Sequence, residues 1–429
     1  MSIARGRLAS LVSLALFLVP AVAASRAQQG STGSSDRPIV FDTYTPGPCS
    51  PTGAPHGGCA RGELLRIRVV TVATGLARPW HIAFLPDGSM LVTELPGRLR
   101  IIRNGQLDPQ PISGWPLESL QARSLNSVVV HPQFAENHFV YLSYAKGTEK
   151  RSTMALARGR LDGTTLTDVR EIFVADAWGT GAAAGRAAFG PDGMLYLTVG
   201  DRDRLVFTDD NSARMLAQDL NSHVGKVLRL REDGGVPADN PFVGRRGAKP
   251  EIYTYGHRNV HGLSWHPETR ALWAVEIGPM GGDELNVLRP GSNYGWPVVS
   301  LGKMYTGNPV SEQSWWRPDM EMPTMFWMPA ISPSSLTFYT GDRFPAWKGN
   351  LFVGALSGQQ VQRVAFNQPH PQQERRESLL VALDVRFRDV VQGPDGYLYL
   401  ATERQSQNGP GSVDEKVADG TILRIEPAE

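Results

Sequence analysis

The chain has 429 residues, 41% of them hydrophobic and 20% charged, the composition of a globular protein long enough to bury a sizeable core. A formal net charge of +1 gives no electrostatic case for nucleic acid or a membrane surface as partner. With 45 glycines and 32 prolines, the sequence favours many turns between short strands over long helices.

In chain order, the first element is a targeting segment. Arg5 and Arg7 precede the apolar run from Leu8 to Val19, and Ala21-Val22-Ala23 supplies small residues at cleavage distance. This predicts a secretory signal over residues 1–24 and a secreted or periplasmic protein. Residues 25–61 read as a disordered leader that ends in a loop, CSPTGAPHGGC. In an oxidising compartment Cys49 and Cys59 are expected to pair; a metal site with His56 is the alternative. No later run is long and apolar enough to span a bilayer.

From about residue 62 one unit recurs. Leu85-Pro86-Asp87-Gly88 leads into SMLVTE, Gly190-Pro191-Asp192-Gly193 into MLYLTVGD, and Gly393-Pro394-Asp395-Gly396 into YLYLATE. Weaker copies follow His131-Pro132 and His266-Pro267, and another is GNLFVGALSGQQVQRV. Asp-Gly turns suit tight connections, and the flanking runs are β-branched or aromatic. About six such units over residues 62–427 predict an all-β fold, a six-bladed β-propeller of four-stranded antiparallel blades. The first and last units are suited to share a blade. The competing architecture is a large two-sheet sandwich. Asp87, Asp192 and Asp395 read as turn formers.

Function in such folds sits on loops around a central channel, so polar residues that interrupt the repeat are the candidates. The densest segment is YGHRNVHGL at 255–263, followed by VEIGPMGGDELNVLRPGSNYGWP at 275–297. A second is Arg386-Phe387-Arg388-Asp389. Residues two apart in a strand share a face, so Arg386 and Arg388 project together. They form either a grip for an anion with several carboxylates or an aspartate-paired edge.

GLARPWHIAFLPDGSMLVTELPGRLRII, GHRNVHGLSWHP, EIGPMGGDELNVLRPGSNYGWP, ISPSSLTFYTGDRFPAWKGNLFVGAL and RFRDVVQGPDGYLYLATE together resemble the soluble aldose sugar dehydrogenases of the glucose/sorbosone dehydrogenase family. The resemblance covers roughly residues 66–427. It implies a six-bladed propeller that uses pyrroloquinoline quinone (PQQ) and calcium (Ca2+). It also implies oxidation of the anomeric carbon of an aldose to a lactone, with electrons passed to an external acceptor. Arg258 and Asn259 match the pair at the quinone end of the cofactor, and Arg386 and Arg388 the arginines that hold its carboxylates. Gly278 and Pro279 match the Gly-Pro whose carbonyls bind the cofactor-linked calcium, an ion that prefers hard oxygen ligands. Asp283 and Glu284 are candidates for a second calcium, and Trp327 for a cofactor contact.

Three positions depart from that pattern. Ala182 stands where the family has the histidine that removes the proton of the anomeric hydroxyl, a loss that typically costs about 10²–10⁴-fold in rate. Ser357 replaces a lysine that pairs with a cofactor carboxylate. Ala122 replaces a glutamine near the substrate, with Gln121 one place off. His261 is the best placed substitute base, ahead of His81, His223 and His257. Two readings follow: a secreted PQQ-dependent aldose dehydrogenase with a replaced base, or a catalytically weak or inactive propeller that binds carbohydrate or protein.

Overall fold

Each Pro-Asp-Gly turn joins the innermost strand of a blade to its second strand. In the computed structural model, which describes residues 39–45, 63–148, 150–181, 184–202, 209–311, 315–366, 374–404 and 419–428, all three turns are built alike. The aspartate Oδ1 accepts the amide two residues on, from Ser89, Met194 or Tyr397. The following glycine takes φ of +84°, +75° or +80°, which a side chain would strain. The His-Pro segments occupy the same connection in two other blades. The signal segment 1–24, the Cys49–Cys59 loop and Ala182 lie outside the described residues.

Six antiparallel sheets follow one another around the ring, each running from an inner to an outer strand, as the repeat predicts. The inner strands are Pro79–Phe84, Ala122–Val130, Ala184–Phe189, Val260–Trp265, Pro333–Phe338 and Arg386–Gln392, in blades 1 to 6. The second strands MLVTE, LYLTV, LWAVE, LFVGA and LYLATE are buried along their whole length, because neighbouring blades cover both faces. No single core exists. Apolar layers lie between successive blades, such as Leu99, Leu125 and Tyr144 between blades 1 and 2, or Trp273, Leu336 and Val353 between blades 4 and 5.

Blade 6 draws on both ends of the described chain. Arg386–Gln392, Leu398–Glu403 and Gly420–Pro427 are continued by Glu63–Leu76, with Ile67 opposite Pro427 and Leu76 opposite Gly420. Ile39–Thr45 adds a fifth strand on Glu63–Leu76. The segment expected as a leader thus includes a strand: Ile39, Val40 and Phe41 are strand-forming residues beside an open edge.

Arg186 crosses the central channel. It reaches the carbonyls of His261 (2.7 Å) and Ser334 (3.0 Å) and pairs with Asp389 (3.2 Å), so one side chain ties blade 3 to blades 4, 5 and 6. Gly185 beside it has φ +93°, and a Cβ there would meet Met154 Cε at 2.4 Å. Gly185 is thus required by close packing at the axis. On the turn side of Arg186 the channel widens to a cavity of about 330 Å³ walled by Val128, Ala188, Leu263, Leu336 and Val391.

Candidate functional site

All six inner strands start on the face opposite the Asp-Gly turns, and the sequence-predicted site residues sit at those starts. Arg258 and Asn259 precede Val260–Trp265, His261 is its second residue, and Arg386 and Arg388 open Arg386–Gln392. Gly278 and Pro279 follow the second strand of blade 4, which ends on the same face. The topology thus gathers residues far apart in sequence.

Arg386 and Arg388 share one carboxylate. Glu403 ends the second strand of blade 6 and is fully buried; it accepts from Arg388 Nη2 and lies 3.2 Å from Arg386 Nε. Arg78, at the entry to blade 1, is 3.8 Å from its other oxygen. The Arg388 guanidinium lies 4.7 Å from the Trp80 ring centre. Burial and the Arg388 charge pull Arg386 down to about 10. Two guanidinium groups held over a single carboxylate, with a third close by, are short of negative charge.

Arg258 is fixed from three sides. Its Nη1 donates to the carbonyls of Ile277 (2.8 Å) and Gly278 (2.9 Å), its amide donates to Glu276 Oε2 (2.8 Å), and its guanidinium lies 5.4 Å from the Trp296 ring centre. Trp296 in turn donates to Asp201, whose amide donates to the Arg258 carbonyl. Arg258 Nε and Asn259 Oδ1 are buried without a hydrogen bond. Such orphaned polar atoms are costly unless a ligand satisfies them.

The two acidic candidates for metal binding separate. Asp283 is fully buried, with Oδ1 accepting from the Gly278 amide and Oδ2 from the amides of Ile331 and Ser332. Both of its oxygens accept main-chain amides, so Asp283 clips two loops together. Glu284 is different. It faces Glu276, and Asn286 Nδ2 bridges the two carboxylates at 2.9 and 3.0 Å. Burial and the Glu276 charge push Glu284 well above the usual carboxylate range. Glu276, Glu284 and Gly278 border an ion-sized void of about 10 Å³, together with Arg258 and Ser300. Among the described residues, no three His, Cys, Asp or Glu side chains converge as a metal cluster.

His261 is buried and tilted against Trp80. Burial, then the charges of Arg388, Arg186 and Arg258, hold its imidazole down at about 3. His257 is bonded to Glu276 and Thr254 and stacked on Tyr294 at 4.7 Å. His223 is likewise tied to Glu251 and the Asp176 amide. Trp327 is not brought into the group. It ends the outermost strand of blade 4, donates to Gln362 and faces Arg376 of blade 5, a packing place at larger radius. Ser357 pairs with Ser332 at 2.8 Å on the exposed rim. Ala122 opens the inner strand of blade 2, with Gln121 exposed at φ +52° before it.

Sequence reasoning missed Glu276 and Glu403. A signal was present: SMLVTE, LWAVE and LYLATE each end a buried apolar run in glutamate, and Glu94 occupies the equivalent place in blade 1. An acid that recurs at the end of a buried strand needs partners on that face.

A family model described as Glucose / Sorbosone dehydrogenase matches residues 76–410. The chain is 36% identical over 369 residues to the aldose sugar dehydrogenase YliI of Escherichia coli, covering 84% of this chain and 93% of that protein. The crystal structure of the soluble aldose sugar dehydrogenase from Escherichia coli in the apo-form superposes with a TM-score of 0.74 at 33% identity, covering 84% of this chain and all of that one (100%). The PQQ-bound form of aldose sugar dehydrogenase from Streptomyces coelicolor superposes with a TM-score of 0.66 at 27% identity, covering 84% and 97% of the two chains. The match of the family model and the shared six-bladed fold thus make this chain a member of the glucose/sorbosone dehydrogenase family.

Proposed function

We propose that the chain is an exported PQQ-dependent aldose dehydrogenase, which oxidises the anomeric carbon of a sugar to a lactone and passes the electrons to an external acceptor. The observation that carries this is the Arg386–Arg388 pair over the single carboxylate of Glu403, on the same face as Arg258 with its orphaned Nε. These groups fit a flat polyanion that carries carboxylates at one end and carbonyl oxygens at the other. Arg386 and Arg388 would hold the carboxylates, and Arg258 and Asn259 the opposite end. When bound, PQQ supplies a quinone that accepts two electrons.

The chain's own residues then divide the work. Arg258 stabilises negative charge that develops beside it. Glu276 and Glu284 with the Gly278 carbonyl are hard oxygen donors for calcium, and a cation there would relieve the repulsion between the two carboxylates. With alanine at position 182, His261 is the proton acceptor proposed for the anomeric hydroxyl. It is neutral and so able to accept a proton. Three nearby guanidinium groups oppose its charging, and a bound polyanion would weaken that opposition.

The test is titration of the signal-free protein with PQQ in excess calcium, followed by dye reduction with a panel of aldoses. Saturable binding is expected, weakened about tenfold or more in Arg388→Ala. Turnover that falls at least about a hundredfold in His261→Gln would assign the base. No binding of PQQ at any calcium level would overturn the proposal. Binding without turnover would favour the second reading, a propeller that holds ligand without oxidising it; Ser357, which offers a hydroxyl where the family has a lysine, is the feature on its side.

A further inference from the structure

Arg202 is a buried cation on this face with no described carboxylate partner. It follows Gly200-Asp201 beyond the second strand of blade 3, and its main chain takes φ +59°, a left-handed conformation that a long side chain adopts only under constraint. Its side chain is 6% exposed. Nη2 donates to the Ser152 carbonyl (2.9 Å), Ser152 Oγ (2.8 Å) and the Gly179 carbonyl (3.0 Å), all neutral groups. Nε and Nη1 are buried with no hydrogen bond, and no described carboxylate lies within ion-pair distance. Burial pulls the guanidinium down to about 10, with Asp201 raising it and Arg123 lowering it further.

The neighbours suit a sugar. Gly179 has no side chain where a Cβ would come within 2.8 Å of Arg202 Cβ, so the loop is shaped around this arginine. Trp178, next in sequence, is 40% exposed and lies 5.4 Å from the Arg151 guanidinium. Asp201, on the other side, donates its amide to the Arg258 carbonyl at 2.7 Å. An exposed indole that can cover the apolar face of a sugar ring thus lies next in sequence to the Gly179 carbonyl that holds Arg202, a cation with no described carboxylate partner, one residue from the support of Arg258.

We propose that Arg202 is the anion-recognising residue of a sugar subsite, and that the sugar taken there carries an oxyanion, a carboxylate or a phosphate. A hydroxyl would satisfy a hydrogen bond but leave the buried charge unpaired; an oxyanion satisfies both, and guanidinium geometry matches it. The proposal rests on this face being a sugar site and adds the class of sugar. Because Nε and Nη1 are covered in the sugar-free protein, the anion reaches them only when a covering group moves.

The experiment is calorimetric titration of the signal-free protein, without added cofactor, by glucose, glucuronate and glucose 6-phosphate, in wild type, Arg202→Gln and Arg123→Gln. At least one anionic sugar should bind about tenfold or more tighter than glucose, and lose that lead in Arg202→Gln. A lead for glucuronate alone assigns a carboxylate, and for glucose 6-phosphate alone a phosphate. Equal binding of the three sugars, no binding of any, or a lead that survives Arg202→Gln overturns the proposal. Should Arg202→Gln fail to fold, the wild-type ranking and a smaller lead in the surface variant Arg123→Gln decide it. PQQ-dependent dye reduction with neutral aldoses is read separately: its failure sinks the dehydrogenase reading and leaves an observed anion preference standing.

Discussion

Asp283 illustrates how one carboxylate can be read two ways. In GGDELN it looks like an oxygen donor for a cation; in the fold its oxygens receive three main-chain amides from two loops. Replacing it with alanine leaves three buried N–H groups without an acceptor, each costing about 1–3 kcal/mol. Asp283→Ala should therefore destabilise by more than about 3 kcal/mol in chemical denaturation, with no dependence on calcium. Glu284 should behave in the opposite way. Without calcium, Glu284→Gln removes a repulsion with Glu276 and should raise the unfolding temperature; in excess calcium the wild type should gain stability and the variant should not. Equal calcium responses would remove Glu284 from the metal proposal. At this scale the sequence was informative for Arg258, Asn259, Arg386 and Arg388, which interrupt the repeat. It was silent on Glu276 and Glu403, whose charge is hidden at the end of apolar runs, and on Arg202, whose oddity is a matter of missing partners.

Among the elements, the turn and the strand after it were legible because an Asp-Gly turn has few conformations and a strand covered on both faces must be apolar. Radius was not legible. Trp327 sits in a motif-like stretch but ends an outermost strand, and nothing in a strand's composition says how far from the axis it lies. The closing strand Glu63–Leu76 was anticipated only as a sharing of the first and last units. Its register with Gly420–Pro427 is reinforced by Arg68 on Glu426 at 2.6 Å, and it supplies Ile67, Val69 and Leu76 to the layers on either side of blade 6. A chain that begins at residue 77 should lose those layers, bare a sheet edge and fail to stay soluble. Starting at residue 62 instead removes, among the described residues, only Ile39–Thr45, whose Ile39 and Val40 are each 54% exposed, and should shift the unfolding temperature by about 2 °C or less. Comparable losses in both truncations would contradict this account of the clasp.

For the whole molecule, the axis is where acid should act. His81 is half-buried near Arg186 and Asp389 and held at about 4, against an ordinary 6.5; His261 is held at about 3. Both are neutral in the folded protein at pH values where the unfolded chain binds a proton on each. Stability is therefore full above about 6.5 and lost as pH falls, through about 4 for His81 and 3 for His261. The unfolding temperature should fall steadily from pH 6.5 to 4, less steeply in His81→Asn; equal slopes would place the acid sensitivity elsewhere.

The shared blade also sets a timetable. Leu76 leaves the ribosome roughly 340 residues before its partner Gly420, a wait of some tens of seconds at ordinary synthesis rates. Until then Glu63–Leu76 lacks the blade-6 edge it closes against, and the arc of blades cannot become a ring. Nothing made early is finished early. A chain built this way must be kept from aggregating until its last strand arrives, and it reaches its native state in one late event.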